Sequence, residues 1–207
     1  MLHKLVDKVY SINLPKSTRR RDNILLQCHS IGTKHTVWDA IDGRESNVEY
    51  SNNGILGDGW NQGAAGLVYT TIEILKDAIE NNYDSILILE DDIVFEPEAY
   101  KSVKSAMEAL PSDWEMFHLA TQDYKASRRM GKHIKKLSGS WSCQAYVVNS
   151  SSFEEYLEWL ELVDRPIDSI TSEVFHPKGH SYGMIKKVIK TVPNVSDIRG
   201  IFINYNA

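Results

Sequence analysis

The sequence predicts an α/β domain in which helices cover a central β-sheet, and three observations carry that prediction. Residues 6–41 read strand, helix, strand. Ser85-Ile86-Leu87-Ile88-Leu89 runs apolar without alternation, as a strand buried on both faces does. Segments of helical period alternate with strand candidates along most of the chain. At 207 residues, 42% of them hydrophobic and 25% charged, the composition fits one globular domain over 1–207, complete or part of a longer protein.

Val6 to Leu14 has the β-branched and aromatic content of a strand, and Pro15 ends it. A helix follows from Thr18 to Ile31, with Ile24, Leu25 and Cys28 on one face and Gly32 as its stop. Lys34 to Ile41 reads as the second strand. Residues Glu45 to Gln62 are rich in turn formers. Ala65, Val68, Ile72, Leu75 and Ile79 recur at helical spacing and predict a helix ending near Asn81-Asn82. The apolar strand comes next and delivers Glu90-Asp91-Asp92 at its C-terminal end.

Pro97 suits the first turn of another helix, striped by Tyr100, Val103, Met107 and Leu110 and closed by Pro111. Met116 to Leu119 is a short strand candidate. Lys125, Arg128, Arg129, Lys132, Lys135 and Lys136 then crowd a stretch without period, read either as an anion-facing flap over the site or as a solvated loop. Ala145 to Val148 predicts a strand, and Ser151-Ser152-Phe153-Glu154 a helix start with a capping box. Phe153, Tyr156, Leu157 and Leu160 supply that helix's inner face. Met184 to Val192 and Ile201 to Tyr205 are the last strand candidates.

A net charge of −5 excludes a generally basic surface for nucleic acid, so an anionic ligand must be held locally. Two cysteines, Cys28 and Cys143, are too few for a disulfide framework and read as packed core thiols. No stretch reaches the roughly 20 apolar residues of a membrane span, and the start lacks a signal peptide's apolar segment. The expected location is cytoplasmic.

Three consecutive acids after a buried strand repel one another unless something neutralises them. A divalent cation does this, and oxygen-only ligands suit Mg2+ or Mn2+, which also grip nucleotide phosphates. The carboxyl end of a strand is where open α/β sheets bind ligands. The other reading is a solvated acidic turn before a helix.

Tyr10-Ser11-Ile12-Asn13-Leu14, then Arg19-Arg20-Arg21, Asp39-Ala40-Ile41-Asp42-Gly43 and Leu89-Glu90-Asp91-Asp92-Ile93-Val94-Phe95 resemble glycosyltransferase family 25 in order and spacing. Cys143 to Val148, Pro166-Ile167-Asp168 and Val192 to Ile198 extend the likeness over nearly the whole chain. That family includes lipopolysaccharide and collagen galactosyltransferases. A narrower resemblance is to viral members acting on capsid glycans, which would place the protein in a host cytoplasm. In one place the sequence departs: where the family carries Gly-Cys-x-x-Ser-His, this chain has Gly66-Leu67-Val68-Tyr69-Thr70-Thr71. The sugar specificity of other members is therefore not carried over.

The resemblance implies a GT-A fold with a central mixed sheet, a UDP-sugar donor and a glycan or glycoprotein acceptor. Glu90 and Asp92 match the outer positions of the Asp-x-Asp metal motif. Asp91 binds the metal or the donor ribose. Ser11, Ile12, Asn13, Arg20, Asp39 and Ala40 line the nucleoside pocket. Asp168 is the general base if transfer inverts the anomeric centre, with a surface aspartate as the alternative. His176 and His180 read as loop residues in preference to metal ligands. Two other functions use the same residues: metal-dependent nucleotidyl transfer, and a nucleotide-sugar or glycan-binding module without catalysis.

Overall fold

A computed structural model describes residues 1–51, 61–141, 143–192, 194–195 and 202–203. The chain opens as the pattern predicts, with β1 (Lys8–Asn13), α1 (Thr18–Ser30) and β2 (Thr36–Asp39). Gly32 has φ +60°, the left-handed conformation that ends α1 and lets Thr33 N reach Cys28 O at 2.8 Å. Most of the turn-rich segment, residues 52–60, lies outside the described residues. Helix α2 (Gln62–Glu80) begins under Asn61, whose side chain accepts from Ala64 N at 3.1 Å.

Then come β3 (Ser85–Glu90), β4 (Ile93–Phe95), α3 (Ala99–Met107), β5 (Met116–His118) and β6 (Gln122–Asp123). A hairpin of β7 (Arg128–Met130) and β8 (Ile134–Lys136) precedes β9 (Ser140–Trp141) and β10 (Ala145–Asn149). Helix α4 (Phe153–Glu161) and the short α5 (Ile167–Ile170) run into a π-helical turn, Thr171–Phe175, and α6 (His176–Lys178). The chain continues with β11 (Ser181–Met184), β12 (Ile189–Thr191), β13 (Asn194–Val195) and β14 (Phe202–Ile203).

Eight strands form one mixed sheet in the order β2-β1-β3-β10-β5-β11-β8-β7. β1 runs parallel to β2 and β3, β10 is antiparallel to both β3 and β5, and β5 and β11 are parallel. The C-terminal ends of β1, β2, β3 and β5 therefore share one edge of the sheet. Successive strand residues face opposite sides. Tyr10, Ile12, Ile86 and Ile88 pack in one core with α2, α4 and α5, while Val9, Leu87 and Leu89 pack in a second with α1 and α3. A mixed sheet covered by helices on both faces is the architecture expected. No helix among the described residues is long and apolar enough to cross a membrane.

Three local expectations are corrected. The basic stretch is not aperiodic: it contains the β7–β8 hairpin at the sheet's far edge, four and five strands from β3, or about 19 and 24 Å at the usual strand spacing. Cationic side chains on an edge strand discourage pairing with another chain. The capping box does not form. Ser152 Oγ donates to Asn149 O at 2.9 Å, and Asn149 accepts from Ser151 N at 3.0 Å, capping a 3₁₀ turn that precedes α4. Met184 to Val192 is two strands, because an exposed turn at Ile185, Lys186 and Lys187 sends β12 away from the main sheet to pair with β4.

Candidate active site

The register brings the predicted residues together. Asn13 lies opposite Asp39 and Ile12 opposite Glu90, so the ends of β2, β1 and β3 are in line. Beyond them Ala40 N donates to Asn13 O at 2.9 Å.

Because β3 alternates, its two terminal acids part company. Glu90 follows Ile86 and Ile88 toward the α2, α4 and α5 side. Asp91 turns to the α1 side, where Arg20 Nη2 lies 2.5 Å from its Oδ1 and Asn13 Nδ2 donates to its Oδ2 at 2.6 Å. Arg20 Nη2 is also 3.4 Å from Asp92 Oδ2. Burial raises the Asp91 carboxyl above its ordinary range, and Arg20 and Asn13 pull it back part of the way. Asp91, expected to bind the metal or the ribose, pairs here with Arg20 and Asn13.

Helix α1 holds this segment with polar side chains at i, i+3 and i+7. Arg20 binds Asp91, Asn23 Nδ2 donates to Asp91 O at 2.9 Å and Ile93 O at 3.0 Å, and Gln27 Oε1 accepts from Phe95 N at 3.1 Å. Asn23 and Gln27 went unnoticed in the sequence. Their signal was polar spacing flanking the buried Ile24 and Cys28. Of the three arginines, Arg19 is exposed and Arg21 pairs with Asp39 at 3.1 Å on the surface.

On the other side Glu90 meets like charge. Burial pushes its carboxyl well above the glutamate range, and Asp92 and Asp168 push the same way, with Arg20 opposing. Asp168, in the first turn of α5, is therefore close enough to Glu90 for their charges to act on one another. Cys143 completes this wall, 3.5 Å from Thr171 Oγ1, which itself donates to Asp168 O at 3.1 Å. Its thiol is pushed well up, first by burial and then by Asp168. Glu90 N donates to Gln144 O at 2.8 Å, tying β3's end to the strand entering β10.

Other predicted residues sit differently. The Ile12 side chain is in the core, and Ser11 Oγ is buried with no hydrogen-bond partner among the described residues, so neither side chain presents itself at the surface. Thr70, in place of the family's Ser-His segment, accepts from Ile41 N at 2.9 Å and donates to Gly66 O at 2.8 Å. Gly66 and Gly43 lie backbone to backbone, where a Cβ on Gly66 would fall 2.6 Å from Gly43 N. The segment leaving β2 is thereby fixed onto α2. His176 is not a loop residue: it is buried in α6, accepts from Ser140 N at 3.3 Å through Nδ1 and meets His118 Nε2 at 3.4 Å. Burial holds it neutral, pulling its pKa down to about 3. His180 pairs with Asp113 at 3.0 Å.

Among the described residues, no three His, Cys, Asp or Glu side chains converge closely enough to hold an ion unaided. Glu90 and Asp92 still fit a divalent cation, since clustered carboxylates raise one another's proton affinity and Mg2+ normally takes one or two carboxylates, completing its shell with phosphates and water.

Curated relatives are similar over part of the chain. Procollagen galactosyltransferase 2 of Mus musculus and of Homo sapiens are each 22% identical over 132 residues, 55% of this chain. The chain spans only 20% of their length. Among solved structures, a glycosyltransferase involved in glycosylation of the major capsid of PBCV-1 aligns over 86% of this chain and 92% of its own, with TM-score 0.44 and 11% identity. A STIV protein aligns over 97% and 95%, with TM-score 0.47 and 9% identity. Residues 6–171 match glycosyltransferase family 25 (LPS biosynthesis protein), and the chain belongs to that family.

Proposed function

We propose that this protein transfers a hexose from a UDP-sugar to a hydroxyl of a glycan or glycoprotein, with Mn2+ or Mg2+ held by Glu90 and Asp92. The observation that carries this reading is the acid cluster at the carboxyl end of β3, with Asp92 and Asp168 both acting on Glu90. Family membership supports glycosyl transfer as the reaction class. When bound, the ion stabilises the charge that develops on the departing diphosphate.

The remaining chemistry belongs to side chains of this chain. Arg20 stands between Asp91 and Asp92 and offers a guanidinium to the diphosphate. Asp91 is a positioning residue: it fixes Arg20 and Asn13 without touching the donor. Asn13, Asp39 and Ala40, aligned at the ends of β1 and β2, flank the nucleoside. Asp168 takes the acceptor hydroxyl's proton in an inverting transfer.

Calorimetric titration with UDP, GDP and CMP, each with Mn2+, Mg2+ or chelator, tests the reading on the natural chain and on Asp92→Ala. UDP binds selectively, needs the metal and is lost in Asp92→Ala. Absence of nucleotide binding with any metal sinks the proposal. Pyrophosphate release in place of UDP would assign nucleotidyl transfer.

A further inference from the structure

Tyr124 and Trp141 are stacked on each other yet stay exposed. Their ring centroids are 4.7 Å apart, their planes differ by 26°, and they keep 43% and 38% of their surface in solvent. Large aromatic rings that find a partner usually end up covered. This pair forms an open flat surface.

Its position follows from the topology. β6 and β9 pair antiparallel, Gln122 opposite Trp141 and Asp123 opposite Ser140. β6 leaves β5 at the same sheet edge as Glu90-Asp91-Asp92, and β9 leads into β10, whose Ala145 is opposite Leu89. Trp141 is two residues before Cys143 and three before Gln144, which accept no distant role: Cys143 lines the Asp168 wall and Gln144 O holds Glu90 N. The aromatic pair is therefore at the same end of the sheet as the acid cluster, on the β10–β5 side and away from β2.

The surface is built and held. Ser140 N is bonded to the buried His176 at 3.3 Å, and Lys135 Nζ grips Asp123 at 2.7 Å. Gly139 lies against Tyr124, where a Cβ would come 2.8 Å from the ring's Cζ. Lys125 stands 5.6 Å from the same ring's centroid. An open aromatic face with polar side chains at its edge matches a pyranose, whose axial C–H groups form an apolar face and whose hydroxyls point outward to hydrogen-bond at the rim.

Resting on the reading that the acid cluster holds the donor, we propose that Tyr124 and Trp141 form the acceptor platform and take a hexopyranose ring of the acceptor glycan. A nucleobase also stacks on aromatic rings. The nucleoside end of the donor belongs on the opposite flank, however, beside β1 and β2, which leaves this side to the acceptor.

The test follows the Trp141 indole N–H in nitrogen-edited NMR spectra of the whole chain, identified as the signal missing in Trp141→Phe. The probes are methyl galactopyranoside, methyl glucopyranoside, methyl mannopyranoside and UDP with Mn2+. At least one methyl glycoside shifts the signal, and Tyr124→Ala, which keeps the reporting indole, weakens that glycoside by about tenfold, as loss of an aromatic anchor does. Gly139→Ala, whose added Cβ would press on the Tyr124 ring and on Lys125 Cδ, weakens it less, and UDP affinity is unchanged in both variants. If no glycoside moves the signal, or UDP alone moves it, the platform proposal is overturned. Glycoside binding at Trp141 in a chain that binds no UDP keeps the platform and removes the donor reading instead.

Discussion

On the α1 side of β3, Asp91 meets an arginine, an amide and a helix whose polar stripe ties down its own backbone. On the α5 side, one residue earlier, Glu90 meets Asp92, Asp168 and a buried thiol. Asp91 is buried and Glu90 half-buried, and both have raised proton affinity. The difference is in the balance of their neighbours: after burial the largest influences on Asp91 are Arg20 and Asn13, which oppose it, whereas the largest on Glu90 are Asp92 and Asp168, which add to it. Asp91 is held by two donors at hydrogen-bond distance, Arg20 and Asn13. Several carboxylates gathered around one another raise the cost of their negative charge, which a cation lowers.

The largest effect expected from breaking this contrast is on the Glu90 side. Asp92→Ala lowers turnover on the order of 10²–10³-fold, the scale of losing a charge stabiliser in the transition state. Initial-rate assays of UDP release measure it, and a loss below threefold would place the metal elsewhere.

Next comes Arg20→Met, which strips the α1 side of its cation and leaves Asp91 buried. Folding stability falls by about 3 kcal/mol, the low end for a broken buried pair because Asn13 still donates. Urea denaturation reads this out. An unchanged midpoint would mean that Asp91 rehydrates and that the pair is not structural.

A subtler test uses pH. Glu90 binds its proton more tightly when folded than when unfolded, so the folded state takes up more protons and stability decreases as pH rises through and above the ordinary glutamate value of about 4.3. In chelator, Glu90→Gln makes the fall in Tm with rising pH shallower, and what persists belongs to Asp91, which burial shifts the same way. An identical slope in Glu90→Gln would show that Glu90 is solvated.

The smallest effect concerns the two thiols, one on each face. Burial pushes Cys28 up to about 12 and Cys143 well above its ordinary value. Neither is alkylated at pH 8 while the chain is folded. Asp168→Asn, which removes the second cause acting on Cys143, modestly speeds its labelling and leaves Cys28 untouched. Equal acceleration of both would indicate loosening of the whole domain.

Local sequence was enough for the sheet-and-helix class, the strand-helix-strand opening and the position of the acids at a strand's end. Those features depend on local period, on turn residues such as Gly32 and on a two-sided apolar run, all written within a few residues of one another. The polar stripe Arg20, Asn23, Gln27 is written in the same local way, but without its target it was not read. Which acid faces which neighbour came from the folded arrangement. That choice depends on strand register and on residues 70 or more positions apart, as with Asn13 and Asp91 at a separation of 78. It likewise turned a basic stretch into an edge hairpin, buried His176 against His118 and put Trp141 beside Tyr124. A period of two fixes that Glu90 and Asp91 point apart, but what each one meets is set by how distant segments pack, and no local pattern encodes that.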